Sequence, residues 1–244
     1  MAWTAIEANT KEDWLAIRSG AFEVPRLKPS ALPQPTRRCA PLRDGAYLIT
    51  GGLGGVGLKM AEWLARNGAR HIVLVNRGSH EETAARVAQL QAHGAQILLR
   101  YADVTVQEDI AGILAELATR GLLLRGVIHC AGLASDGVIG RQDWPSFASV
   151  LQPKVNGAWN LHVLTRELPL DFFLLFSSAC TLVGLSGLAA YTTANAFLDG
   201  LAAHRNSLGL PAQVFDWGGW RRTGMAERVG SQRGINGPPV ACTP

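Results

Sequence analysis

The stretch Tyr47-Leu48-Ile49-Thr50-Gly51-Gly52-Leu53-Gly54-Gly55-Val56-Gly57 decides how the chain is read. Its first four residues predict a short buried strand. A glycine-dense turn follows, and then Leu58-Lys59-Met60-Ala61-Glu62-Trp63-Leu64-Ala65-Arg66 places apolar residues at helical spacing. Strand, turn and helix in that order give a glycine pattern its meaning. Gly52, Gly54 and Gly57 satisfy G-x-G-x-x-G, and Thr50, Gly51, Gly55 and Gly57 satisfy T-G-x-x-x-G-x-G. Without side chains, the backbone N–H groups of such a turn approach a pyrophosphate closely, and the helix N-terminus adds its positive dipole end. The plainer reading is a loop that only packs a helix onto a strand.

Outward from this turn the pattern alternates. Strands are predicted at 71–75, 96–101, 126–130, 171–177 and 212–216, with helices at 81–93, 110–119, 157–167 and 192–208 between them. Strands separated by helices imply an α/β fold: a Rossmann-type doubly wound parallel sheet with helices on both faces. Right-handed crossovers then put a ligand crevice at the carboxyl ends of the strands. Before residue 43 the chain reads differently. Two short strands flank Ser19-Gly20, and Lys28 to Thr36 is proline-rich and predicts an extended linker. We therefore divide the chain into 1–43, 44–228 and an atypical tail, 229–244.

At 244 residues the chain can hold one large α/β domain, and 48% hydrophobic against 17% charged residues excludes a disordered one. A net charge of +4 with scattered Lys and Arg forms no nucleic-acid stripe. Cys39, Cys130, Cys180 and Cys242 stand far apart without a C-x-x-C pair, so no metal site and no disulfide framework is indicated. No signal peptide opens the sequence, and no apolar run reaches the roughly 18 residues of a membrane span. The expectation is a cytoplasmic protein with no membrane and no nucleic-acid partner.

The second strand ends in Val75-Asn76-Arg77-Gly78. In a dinucleotide-binding sheet this position faces the adenosine ribose, where an acid marks NAD and an Arg accommodates a 2′-phosphate. Arg77, with no acid before Glu81, therefore points to NADPH. Asp103 and Val104 end the third strand, where a carboxylate can accept from an adenine amino group, or simply cap a turn.

Thr50 to Gly57, His129-Cys130-Ala131-Gly132, Ser177-Ser178, and Tyr191 with Asn195 four residues later resemble the short-chain dehydrogenase/reductase superfamily. Pro153-Lys154-Val155-Asn156-Gly157-Ala158, Phe176-Ser177-Ser178 and Tyr191-Thr192-Thr193-Ala194-Asn195-Ala196-Phe197-Leu198-Asp199 look more specifically like the ketoreductase domain of a modular polyketide synthase. The resemblance runs from about Glu12 to Arg228, its first part being similar to the end of that family's upstream structural subdomain. It implies an NADPH cofactor held by Thr50, Gly51, Gly52, Leu53, Gly54, Gly55, Val56, Gly57, Arg77, Asp103, Val104, Cys130, Ala131 and Gly132. It also implies a catalytic set: Tyr191 as general acid, Ser178 holding the substrate carbonyl, Lys154 as the cation that lowers the tyrosine's pKa, and Asn195 ordering Lys154 and a relay water. Asp136, Trp217, Gly218 and Met225 would border substrate and lid.

The implied reaction is reduction of a β-ketoacyl thioester carried by the phosphopantetheine of an acyl carrier protein, among neighbouring polyketide synthase domains. Each catalytic residue also has a plain reading, as a helix-start aromatic, a strand-end cap, a solvated cation or a polar helix face. Two departures from the family stand out. Ala134-Ser135-Asp136 keeps only the last residue of the Leu-Asp-Asp that sets one alcohol configuration, and Val183 occupies the place of the Trp that sets the other. The chain after Arg228 lacks the lid, helix and seventh strand of a full domain, which predicts a shortened domain with an exposed edge. A catalytically inactive structural module, or a free-standing reductase of small ketones, therefore stays open as an alternative.

Overall fold

The computed structural model describes residues 16–24, 26, 28, 42–79, 81–135 and 137–220. The chain divides into two compact units, Met1–Ala40 and Pro41–Pro244. In the first, β1 (Ala16–Arg18) pairs antiparallel with β2 (Ala21–Glu23), Ile17 opposite Phe22. Ser19 and Gly20 both take positive φ, 47° and 81°, as a two-residue hairpin turn with the twist of its strands requires.

In the second unit, six parallel strands form one sheet. β3 (Ala46–Thr50), β4 (His71–Asn76), β5 (Gln96–Tyr101), β6 (Leu124–His129), β7 (Phe172–Ser178) and β8 (Gln213–Trp217) lie in the order β5-β4-β3-β6-β7-β8. The order reverses between β3 and β6, so their carboxyl ends open the crevice that a doubly wound sheet offers to a ligand. The connecting helices are α1 (Gly55–Arg66), α2 (Thr83–Gln91), α3 (Gln107–Thr119), α4 (Trp144–Thr165), the short α5 (Cys180–Val183) and α6 (Ala189–Ser207).

β3 is the axis of the sheet, and all five of its residues are buried. Successive side chains leave a strand on opposite faces. Leu48 joins Val73, Val127, Phe173, Ile110, Leu161 and Leu198 under α3, α4 and α6. Tyr47 and Ile49 join Ile72, Leu74, Ile128, Ala61, Leu64 and Leu90 under α1 and α2. Both faces are therefore covered, as parallel strands require. Tyr47 also stacks on Phe172 at 5.6 Å, its hydroxyl donates to the Arg43 carbonyl at 2.8 Å, and Arg43 pairs with Asp171. Among the described residues β8 ends the sheet on one side, with Phe215 38% exposed. No helix in the described residues is long and apolar enough to cross a membrane.

Two elements depart from expectation. α4 starts at Trp144, well before the predicted 157, and carries Pro153 inside it. Proline normally ends a helix, which hides the first half from a reading of the sequence. The true start signal is Asp143, whose carboxylate accepts from the Ser146 N–H at 2.8 Å, followed by Pro145 in the first turn. α5, one turn after β7, has no counterpart among the predicted elements. Much of the proline-rich linker and the whole tail 229–244 lie outside the described residues.

Candidate active site

The glycine turn is built by close backbone approach. Gly51 sits at φ 64°, and a Cβ there would come within 2.9 Å of the Ala131 nitrogen. At Gly57 a Cβ would overlap the Gly51 carbonyl oxygen and lie 2.9 Å from the Gly52 Cα. α1 therefore starts inside the turn, with Gly54 at its N-cap and no acidic residue in its first turn. An anion there meets only the helix's positive end. Gly52, Gly54, Gly55 and Val56 form the rest of this cradle. Leu53 is 2% exposed and packs into the core, leaving only its backbone to the turn.

Beneath the turn lies a residue to which the sequence motifs assign no role. His129 pairs in register with Thr50, and its Nδ1 is 2.7 Å from the Thr50 hydroxyl oxygen, which also accepts from the Ala131 N–H at 3.4 Å. Burial, and then the charge of Lys154, press the His129 pKa down to about 3, so the ring stays neutral. The signal for it is a histidine closing the apolar run Gly126-Val127-Ile128.

One cleft runs across the strand ends. Thr50 and Gly51 line it after β3, Arg77 after β4, Asp103 and Val104 after β5, and Ala131 and Gly132 after β6. It thus gathers seven predicted cofactor residues. Arg77 is exposed and has no ion-pair partner among the described residues. Asp103 lines the cleft, and its Oδ1 also caps the turn by accepting from the Thr105 N–H at 2.9 Å and hydroxyl at 2.8 Å. Asn160 on α4, missed in the sequence, donates to the carbonyls of Val104 and Thr105 at 3.0 Å each and so ties this loop to the helix. Cys130 adds its backbone, donating to the Thr50 carbonyl at 3.1 Å, while burial pushes its thiol up to about 12.

Past the cleft, three elements deliver the predicted catalytic set. β7 ends on Ser178, α6 carries Tyr191 in its first turn and Asn195 one turn on, and α4 carries Lys154. The Tyr191 phenol lies within the influence of the Ser178 and Asn195 side chains. Asn195 is fully buried and donates to the Tyr191 carbonyl at 2.7 Å. Lys154 is 2% exposed, and its Nζ donates to the Phe176 carbonyl at 2.6 Å. Gly132 leaves room for it: a Cβ there would stand 2.9 Å from the lysine Cε. Burial lowers the Lys154 pKa to about 8.

Here one expectation is corrected. The Tyr191 pKa is raised, not lowered, because burial outweighs the stabilising influence of Asn195 and Ser178, and Lys154 is not among the groups acting on it. The lysine's ammonium is committed to a backbone carbonyl instead. Trp217 ends β8, stacked on Phe176 at 5.5 Å and 4.9 Å from Trp220, with Gly218 following. Val183, at the end of α5, is 57% exposed. Asp136 and Met225 lie outside the described residues. No cluster of three metal-ligating side chains occurs among the described residues.

A family model described as KR domain matches residues 45–222. The chain is 41% identical over 186 residues to a phenolphthiocerol/phthiocerol polyketide synthase of Mycobacterium tuberculosis, a match that covers 76% of this chain and 8% of that protein. A solved A1-type ketoreductase matches with a TM-score of 0.87 and 36% identity, over 96% of this chain and 50% of its own. A-type ketoreductases from a modular polyketide synthase match with a TM-score of 0.84 and 37% identity, over 93% of this chain and 49% of theirs. The chain therefore spans about half the length of these solved relatives and a small fraction of the curated one.

Proposed function

The chain belongs to the KR domain family, and from that premise we propose that residues 44–228 reduce a β-ketoacyl thioester to its β-hydroxyacyl product with NADPH. The observation that carries this reading is the grouping of Ser178, Tyr191 and Asn195 with Lys154 buried nearby, at the same end of the sheet as the cleft holding Arg77. The cradle fits a dinucleotide: side chains are excluded where Gly51 and Gly57 approach backbone, and a guanidinium without an ion-pair partner among the described residues waits at the ribose position. Thr50, the turn from Gly51 to Gly57, Arg77, Asp103, Val104, Cys130, Ala131 and Gly132 would hold it. A reduced nicotinamide supplies hydride when bound there.

The protein's own residues do the rest. Ser178 positions the substrate carbonyl, and the phenol of Tyr191 gives its proton to that oxygen as negative charge develops on it. Asn195 holds the tyrosine's backbone, and Lys154 keeps a positive charge behind the site. Trp217 and Gly218 border the substrate. The natural substrate would be tethered to an acyl carrier protein by phosphopantetheine, with neighbouring polyketide synthase domains supplying the β-keto group and taking up the alcohol.

The test is cofactor consumption with a β-ketoacyl thioester mimic, with NADPH and then NADH. Oxidation of NADPH coupled to alcohol formation supports the reading. A folded sample that neither binds nor oxidises NADPH overturns it in favour of a structural module, and equal turnover of small free ketones would favour a free-standing reductase. Arg77→Ala should weaken NADPH binding about tenfold and leave NADH binding unchanged, since one charge-assisted phosphate contact is worth roughly 1.5 kcal/mol. Gly57→Val should weaken both cofactors by about 10- to 100-fold, because its side chain meets backbone that cannot step aside and overpacking costs roughly 1–3 kcal/mol. Calorimetric titration reads both variants.

A further inference from the structure

The proposed reaction leaves one fully buried titratable side chain beneath the cofactor cleft without a task, that of His129. Its partner, Thr50, ties the glycine turn to the end of β6 through three consecutive residues. The Thr50 carbonyl accepts from the Cys130 N–H at 3.1 Å. The Thr50 hydroxyl oxygen accepts from the Ala131 N–H at 3.4 Å and stands 2.7 Å from His129 Nδ1. The first two bonds use backbone donors that almost any residue at 130 or 131 supplies. The third is the shortest, and it depends on a side chain.

What these bonds join are two walls of the cleft. Thr50 and Gly51 line it after β3, and Ala131 and Gly132 line it after β6. The walls stand as close as backbone allows, since a Cβ on Gly51 would lie 2.9 Å from the Ala131 nitrogen and 3.0 Å from its Cα. Gly51 also holds the turn itself, its carbonyl accepting from the Gly54 N–H at 2.9 Å. A hydroxyl held only by the Ala131 contact would sit at the long end of the hydrogen-bond range. The His129 bond is what fixes it, and a binding site is only as precise as the bonds that lock its side chains.

The ring pays no visible structural dividend elsewhere. Nε2 is shut off from solvent and makes no hydrogen bond among the described residues. The Pro153 carbonyl on α4 favours the protonated ring without closing a hydrogen bond to Nε2. A buried polar atom left unpaired is unfavourable, so an apolar side chain of similar size would suit the strand better. What histidine adds over such a residue is the bond to Thr50. Because the ring is neutral, the link is made without placing a charge behind the turn.

We propose that His129 is a positioning residue of the cofactor site: its Nδ1 fixes the Thr50 hydroxyl, and Thr50 holds the glycine turn and the Ala131-Gly132 segment at the separation a dinucleotide requires. The inference rests on the reading of this cleft as the NADPH site. His129 is not among the residues lining the cleft, so its effect passes through Thr50 and falls on cofactor affinity.

The test is calorimetric titration of NADPH into the full chain, its His129→Leu, His129→Asn and Thr50→Val variants, and the double variant His129→Leu/Thr50→Val. Leucine fills the space without a hydrogen-bonding atom and should weaken binding about 5- to 10-fold, the effect of one lost hydrogen bond. Asparagine carries an amide atom at the Nδ1 position and should bring affinity back to within about twofold of the parent. The double variant should bind no more weakly than Thr50→Val alone, because the two residues act through one bond. At saturating NADPH, His129→Leu should turn over a β-ketoacyl thioester mimic within about threefold of the parent, as a loss confined to binding requires. Unchanged affinity in folded His129→Leu, an Asn variant as weak as Leu, or losses that multiply in the double variant each overturn the proposal. If His129→Leu does not fold, 15N NMR of the histidine rings decides. The His129 signals, identified by their loss in His129→Asn, should shift when NADPH is added and stay still in Thr50→Val; signals in the parent that ignore NADPH overturn the proposal. A folded parent that binds no NADPH removes the cofactor site and this inference with it, whereas unchanged affinity in His129→Leu removes this inference alone.

Discussion

Replacing Tyr191 by Phe lowers the rate of thioester reduction by about 10²- to 10⁴-fold, the range lost with a positioned general acid, while NADPH binding stays within about twofold. The ring is kept, so its place in the first turn of α6 and its packing survive; only the hydroxyl is removed. Single-turnover reduction of a β-ketoacyl thioester mimic, beside a cofactor-binding titration, separates the two effects. The pH profile carries a second expectation. Burial raises the Tyr191 pKa above its ordinary 10, so the phenol remains a proton donor through the whole neutral and mildly alkaline range. Of the two titrating members of the catalytic set, Lys154 changes charge first as pH rises, at about 8. The alkaline fall in rate should therefore begin near pH 8 and belong to the lysine, well before the tyrosine ionises. A rate that holds flat to pH 10 would remove Lys154's charge from the mechanism. A Tyr191→Phe variant as fast as the parent would remove Tyr191.

Much of this site can be read from residue order because its parts sit at the ends of regular elements. Strand ends are announced by apolar runs that stop, and the six predicted strands correspond to the six observed, in a sheet covered on both faces. A parallel sheet aligns those ends on one edge, so Thr50, Arg77, Asp103 and Ala131 gather in one cleft although more than twenty residues separate each from the next. The start of α4 is hidden for a local reason. Pro153 reads as a stop, and a helix buried on several sides lacks the polar stripe that reveals a period. Asp143 and Pro145 are visible but mean little without the helix behind them.

What is not legible depends on partners that have no sequence signature. Lys154 bonds a backbone carbonyl, and any residue at position 176 has one. Asn160 likewise holds two backbone carbonyls, so nothing in positions 104 and 105 signals it. The direction of the Tyr191 shift turns on how deeply α6 presses the ring into the protein, which is a property of packing and not of spacing.

Lys154→Met should make the protein more stable at neutral pH than at high pH relative to the parent, and inactive. The sign follows from the direction of the lysine's shift. Its ordinary pKa of 10.5 falls to about 8 in the folded protein, so folding disfavours the charged form by roughly 3 kcal/mol, at about 1.4 kcal/mol per pH unit. That burden is fully present below pH 8, lifts as pH rises from 8 to 10.5, and is gone above. Methionine fills the space without a charge, though it leaves the Phe176 carbonyl without its donor, which costs about 1–3 kcal/mol at every pH. The two proteins should therefore be close in stability near pH 10.5, or the Met variant lower. Going down to pH 7, the Met variant should gain roughly 3 kcal/mol on the parent. Burial raises the Cys130 thiol from 9.0 to about 12 and the Lys154 charge opposes that rise, so the comparison is read below pH 9, from the difference between the two unfolding curves. Urea unfolding at a series of pH values measures it. A difference that does not vary with pH would mean that Lys154 keeps its ordinary pKa in the folded protein. A gain at neutral pH that disappears toward high pH, in a variant that no longer reduces its substrate, would identify the lysine as a charge the fold holds at a thermodynamic disadvantage for the sake of the reaction.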